Sequence, residues 1–234
     1  MGGKILDKKL ELEDFVLIGR TFEEYYRMFH LESIDKNEKI LDVASGVSSF
    51  CSEANAKGYN VTAADRVYRF NPEEIEEKCS KDLKETMEKL TSIKALYKWD
   101  FFKDIEQLKN HRERAYRGFI KDFKLYRDDR YIISEFPSNN FKENQFDVSL
   151  ISHFLFLYDE HMNYEFHKQI INEVIRITRK EIRIFPIANL KAQRSPFIEK
   201  FMGDKAFNNY EINIVKVNYE FIKGGNEMLV VKIK

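Results

Sequence analysis

Glycine, proline and cysteine are scarce in this sequence, at 9, 4 and 2 of 234 residues. So little glycine and proline beside 43% apolar residues excludes a disordered or collagen-like chain and leaves a globular one. The two cysteines, Cys51 and Cys79, lack CxxC spacing. A disulfide framework or a zinc site is therefore not expected, because zinc needs two further ligands that this spacing does not supply. No apolar run approaches the roughly 20 residues that span a bilayer. The N-terminus, MGGKILDKKLELED, is too charged to read as a signal peptide, so the expectation is a cytoplasmic protein without membrane contact. Formal charge is zero, which removes the global electrostatic footprint of a nucleic-acid binder, so no nucleic-acid partner is expected.

What is present is an alternation of strand-like and helix-like segments. Four apolar runs read as strands: KILDVAS (39–45), NVTAAD (60–65), FDVSLIS (146–152) and EIRIFPI (181–187). RYIISEF (130–136) is a fifth, weaker one. Between 160 and 180 the apolar residues Phe166, Ile170, Ile171, Val174, Ile175 and Ile177 fall on one helical face. Strands alternating with helices predict an α/β domain with a parallel sheet covered on both sides. The C-terminus breaks the alternation, because YEINIVKVNYEF and IKGGNEMLVVKIK read as an antiparallel hairpin turning at Gly224, Gly225 and Asn226. The length suits one domain over residues 1–234. Residues 66–129 are longer than the usual crossover by about 40 residues. Asn71 and Pro72 open one helix there and a second runs from about 102 to 127. This helical insertion is expected to form a lid or substrate wall, with a peripheral decoration or oligomer contact as the bland alternative. Its residues Arg114, Arg117, Lys121 and Lys124 share one basic helix face, which is read first as solvated.

The first βα loop carries the chemistry. In ILDVASGVSSF one central glycine, Gly46, stands among small residues, with Asp42 and Ala44 before it and Ser48 after it. A dinucleotide's pyrophosphate asks for GxGxxG at the helix N-terminus, and that set is missing. The stretch resembles motif I of class I S-adenosylmethionine-dependent methyltransferases, usually written (D/E)xGxGxG. NVTAAD resembles their motif II, and FKENQFDVSLISH and INEVIRITRKEIRIFPI resemble the passages into strands four and five, with the usual Pro-Gly-Gly missing. The resemblance implies a Rossmann-like sheet, mostly parallel with an antiparallel C-terminal hairpin, and S-adenosyl-L-methionine as cofactor. It implies an acceptor expected to be a small molecule, and leaves oligomerisation open.

Carried over residue by residue, the resemblance places the cofactor against Asp42, Ala44, Ser45, Gly46, Asp65, Arg66, Glu135 and Ser152, with the Asp65 carboxylate on the ribose hydroxyls and Glu135 at the adenine. His153, after the fourth strand, is the candidate general base. Tyr25 and Tyr26 are candidate substrate contacts. His161, His167, Glu160 and Glu165 read as a solvated helix face, and no metal is assigned. Two other functions compete. One is a non-catalytic protein that keeps the fold and binds the cofactor, and the other is an NAD-dependent oxidoreductase, disfavoured by the loop and the hairpin.

Overall fold

A computed structural model describes residues 16–233, so most of the expected N-terminal arm lies outside the described residues. Among the described residues, seven strands form a single sheet in the order β3-β2-β1-β4-β5-β7-β6. Five strands are parallel: β1 (Lys39–Val43), β2 (Asn60–Asp65), β3 (Tyr131–Ile133), β4 (Phe146–Ser152) and β5 (Thr178–Phe185). β7 (Glu227–Lys232) runs antiparallel to both β5 and β6 (Glu211–Lys216). Every residue of β4 is buried, as a central parallel strand covered on both faces requires.

Two apolar layers cover the sheet. One is built with α1 (Phe22–Phe29), α2 (Phe50–Ala56), α3 (Pro72–Ser92) and α4 (Ile105–Arg130). The other is built with α5 (Tyr164–Ile177) and α6 (Phe197–Met202). The strand period of two divides the side chains between them, so Ile40, Val148 and Leu150 face the first layer while Leu41, Val43 and Ile151 face the second.

The insertion is more central than a lid. Asn71 opens α3 as expected, its side chain accepting from the Glu74 amide at 2.9 Å with Pro72 in the first turn. α4 starts later than the sequence suggests because Asp104 caps it, accepting from the Gln107 amide at 2.7 Å. Along α4, Phe119 and Phe123 pack with Tyr68 and Tyr131 at ring separations of 5.2 to 5.7 Å. α4 is thus the crossover helix against β2 and β3, and α3 is the added layer outside it. The basic face of α4 meets the acids of α3, with Lys124 to Glu73 at 2.8 Å and Arg117 to Glu76 at 3.3 Å. These pairs are exposed and each contributes little.

Two further boundaries differ from expectation. α5 passes into β5 with no turn, so the strand begins at Thr178 rather than at residue 181. The Thr178 hydroxyl bonds the Val174 carbonyl and the Ser149 hydroxyl, each at 2.6 Å, which replaces the missing turn. The C-terminal hairpin does not turn tightly. Residues 217–226 leave it as an excursion, closed at its base by the Val217 amide on the Asn226 carbonyl at 2.9 Å. Lys98 donates to Phe221 at 2.7 Å and Lys223 to Leu96 at 3.0 Å, so the excursion is joined through backbone to the α3–α4 connection. His167 is a correction of another kind: it is 1% exposed, stacked on Phe156 at 5.5 Å, and not part of a solvated face.

Because Phe119 has no solvent exposure and belongs to this ring cluster, Phe119→Ala should cost about 3–5 kcal/mol. Urea denaturation measures it. A loss below about 1 kcal/mol would show that α4 is an independent appendage.

Candidate functional site

A cavity of about 1080 Å³ opens at the C-terminal edge of the parallel strands. Ligands bind at this edge in open α/β sheets because the loops and helix N-termini converge there. The volume lies at or above the roughly 300–1,000 Å³ of a pocket for one small ligand.

The loop after β1 forms one wall through Ala44, Ser45 and Gly46. Ala44 and Gly46 both take left-handed backbone, with φ of 52° and 57°. A glycine-rich loop would reach this shape without strain, and the alanine accepts about 1–2 kcal/mol to do so. A Cβ added at Gly46 would meet nothing within 4 Å. The glycine missing from the loop is supplied from another segment. Gly19 lies so close to the loop that a Cβ there would stand 2.2 Å from the Val47 carbonyl oxygen.

Asp65, at the end of β2, lines the cavity, and its carboxylate accepts from the Gly46 amide at 2.8 Å and from the Val67 amide at 2.7 Å. Burial raises its pKa, while the two amides and the charges of Arg66 and Arg69 oppose the rise. Asp42 stands behind the loop with no solvent exposure. It accepts from the Tyr25 hydroxyl at 3.1 Å and from the Ser45 hydroxyl at 2.5 Å. Burial pushes Asp42 up to about 7 against these two hydrogen bonds, with the Asp65 charge adding to the rise. Past β3, Glu135 pairs with Arg66 at 3.2 Å and Arg69 at 2.8 Å. Its neighbour Ser134 holds a buried hydroxyl without a partner among the described residues and also lines the cavity.

The other end of the cavity lies over β4 and β5. Ser152 and His153 line it, with the Ser152 hydroxyl 2.9 Å from His153 Nδ1 and the His153 ring against Phe185 at 5.5 Å. His153 also has left-handed backbone, φ 54°. Burial, then repulsion from Arg20 and Arg112, holds its pKa well below 6.5, so the ring is neutral at pH 7. Beside it, Glu24 is fully buried and Arg112 donates to both its oxygens at 2.7 and 2.6 Å. The Tyr219 hydroxyl adds a bond at 2.8 Å and the Thr21 amide another at 3.0 Å. Burial works to raise the Glu24 pKa, but the attraction of Arg112 and the other donors hold it well below the usual carboxylate range.

Comparison with known proteins gives one close relative. The sequence is 50% identical over 227 residues to the protein MJ0045 of Methanocaldococcus jannaschii, covering 95% of this chain and 98% of that one. The chain belongs to the MJ0045 family. No family model matches. Among solved structures, the PH0226 protein of Pyrococcus horikoshii superposes with a TM-score of 0.51 at 12% identity, covering 91% of this chain and 89% of that one. A S-adenosylmethionine-dependent methyltransferase of Aquifex aeolicus gives 0.43 at 13% identity, covering 97% and 96%. The strand order and terminal hairpin are those of the Rossmann-like class I methyltransferase fold.

The structure therefore gathers Ala44, Ser45, Gly46, Asp65, Arg66, Glu135, Ser152, His153 and Tyr25 on one cavity. Asp42 supports the wall from behind. The two tyrosines part company: Tyr25 is buried, stacked on Phe50 at 4.1 Å and facing the cavity, whereas Tyr26 is 40% exposed beside Phe22 and away from it. Consecutive helical positions point about 100° apart, so both could not face one pocket. Sequence reading missed Ser134, Arg20, Glu24, Arg112 and Tyr219. Only Glu24 carries a signal, the Thr-x-x-Glu capping pattern, and that assigns it to a helix start.

Asp42 gives a pH test. Its folded pKa is raised from 3.8 to about 7, so its contribution to stability is complete below about 3.8 and is lost as pH rises through about 7. Asp42→Asn should remove that dependence. Between about pH 5 and 8 wild type should lose on the order of a few kcal/mol relative to the variant, read as diverging melting temperatures. Parallel curves would mean that Asp42 is not held protonated.

Proposed function

We propose that the chain is a S-adenosylmethionine-dependent methyltransferase acting on a small-molecule acceptor. The observation that carries this reading is the end of the cavity where the Asp65 carboxylate, the open backbone of Gly46 and the unpartnered Ser134 hydroxyl stand together. Each Asp65 oxygen has served one amide and keeps a further acceptor direction, which suits two neighbouring ribose hydroxyls. Ser134 can donate to or accept from a purine edge. The space before Gly46 lets the methionine part of the ligand pass close to the loop.

A dinucleotide fits the same end poorly. A pyrophosphate needs free amides at the helix start, but the Gly46 amide is taken by Asp65 and the Ser49 amide by the Arg20 carbonyl at 2.9 Å. When bound, S-adenosylmethionine supplies an electrophilic methyl group on a sulfonium sulfur. The chain's own part is to hold an acceptor in line with it and exclude water, which can be worth about 7–11 kcal/mol. His153, with Nδ1 turned to Ser152, keeps Nε2 for a proton released by the acceptor, and being neutral it is ready to accept one.

S-adenosylhomocysteine should stabilise the chain while NAD and ATP do not. At 100 times the dissociation constant the gain should be about 2.7 kcal/mol. Equal stabilisation by NAD would sink the reading. Asp65→Ala should abolish the gain and also lower the melting temperature of the free protein, because two loop amides lose their acceptor. Transfer of a labelled methyl group to an acceptor separates an enzyme from a protein that only binds the cofactor.

A further inference from the structure

The charged side chains that line the cavity are Arg20, Asp65, Arg66, Arg112 and Glu135. Asp65 ends β2 and Glu135 follows β3, where Arg66 pairs with it at 3.2 Å. The Arg20 carbonyl takes the Ser49 amide at 2.9 Å and the Ser48 hydroxyl at 2.7 Å, which fixes Arg20 on the β1 loop and so at the cofactor. Arg112 spends its charge on the buried Glu24, at 2.7 and 2.6 Å. All five are thus committed to the cofactor end or to a partner. The remaining imidazoles are His153, held neutral, and His161, which is exposed to water.

The rest of the wall can be followed ring by ring from His153. His153 lies against Phe185 at 5.5 Å, and Phe185 against Tyr219 at 5.9 Å. Two residues on, Phe221 meets Tyr97 at 4.6 Å, which carries the wall to the α3–α4 connection. Met87 and Leu90, near the end of α3, line the same cavity. The chain after β4 adds Leu157, whose carbonyl takes the Leu190 amide at 3.2 Å. Leu190 lines the cavity and is still 52% exposed. An apolar side chain left in water on the wall of an apolar pocket is covered when an apolar ligand arrives. An ion placed there would give up its hydration to side chains that return neither a hydrogen bond nor an opposite charge. We propose that the acceptor is an uncharged molecule with an apolar body, held beside His153 by the hairpin excursion, the end of α3, Leu157 and Leu190. This assignment rests on the methyltransferase reading and names the class of its acceptor.

The test is calorimetry on the full chain, first with S-adenosylhomocysteine alone and then, with that ligand saturating, with three probes of matched shape: 4-phenylbutanol, 4-phenylbutyrate and 4-phenylbutylamine. The alcohol should bind at least about tenfold more tightly than either ion. A smaller advantage over either ion, or an alcohol that does not bind, would overturn the proposal. Leu190→Glu, made at an exposed position, should raise the affinity of the amine relative to the alcohol by at least about threefold. It should leave the affinity for S-adenosylhomocysteine within about twofold of the wild type, because the cofactor end is built from other residues. A smaller gain for the amine would place the probes elsewhere, and a larger loss of S-adenosylhomocysteine would place Leu190 at the cofactor; either overturns the proposal. Should Leu190→Glu fail to fold, the wild-type ranking decides. If S-adenosylhomocysteine does not bind at all, the methyltransferase reading fails, and the same ranking on the free protein decides whether this wall takes an uncharged ligand.

Discussion

One carboxylate with no access to solvent holds the functional half of this protein together. Glu24 takes donors from Arg112 on the insertion helix, from Tyr219 on the hairpin excursion and from the Thr21 backbone at the start of its own helix. The insertion helix and the hairpin excursion reach Glu24 from 88 and 195 residues away in sequence, and nothing in the sheet itself brings them together. A buried charge pair of this kind is weak evidence for stability, because removing two ions from water offsets most of their attraction. Breaking it is a different matter, since one unmatched buried charge costs about 3–5 kcal/mol. The cluster therefore acts as a specification: it joins the start of α1 to α4 and to the hairpin excursion beside the cavity.

That placement gives the cavity two chemical ends. Over β1 and β2 it presents the Asp65 carboxylate and a loop whose Gly46 and Ser49 amides already have partners. Over β4 it presents the neutral imidazole of His153, which feels the charges of Arg20, Arg112 and Glu24. The α3–α4 connection and the hairpin excursion meet through backbone hydrogen bonds between Lys98 and Phe221 and between Lys223 and Leu96. The added helix and the C-terminal hairpin thus form one continuous wall of the cavity, apolar through Met87, Leu90 and Phe221.

How much of this was legible depends on how local its cause is. The β1–loop–β2 unit is written in consecutive residues, and its strands, its glycine and its terminal acid could be found from ILDVASG and NVTAAD. Ala44 shows why the motif is hard to recognise there: the backbone still turns left-handed, but the residue that would announce it has changed. The cap at Asp104, the direct passage of α5 into β5 through Thr178, and the burial of His167 escape sequence reading because each depends on a neighbour supplied by the fold. Arg20, Arg112 and Tyr219 are harder still. Each alone is an ordinary polar residue on an expected arm, helix or strand; Glu24 collects Arg112 and Tyr219, while Arg20 is held by the β1 loop through Ser48 and Ser49.

The same cluster bears on His153. Its ring is kept neutral first by burial and then by the repulsion of Arg20 and Arg112, so a base placed here is available at pH 7 but weak. An anion arriving near Arg20 would cancel part of that repulsion, and the proton affinity of His153 would rise. The left-handed backbone at His153 sets its imidazole on the cavity that Arg20 also lines, a strained conformation of the kind that clusters at functional sites.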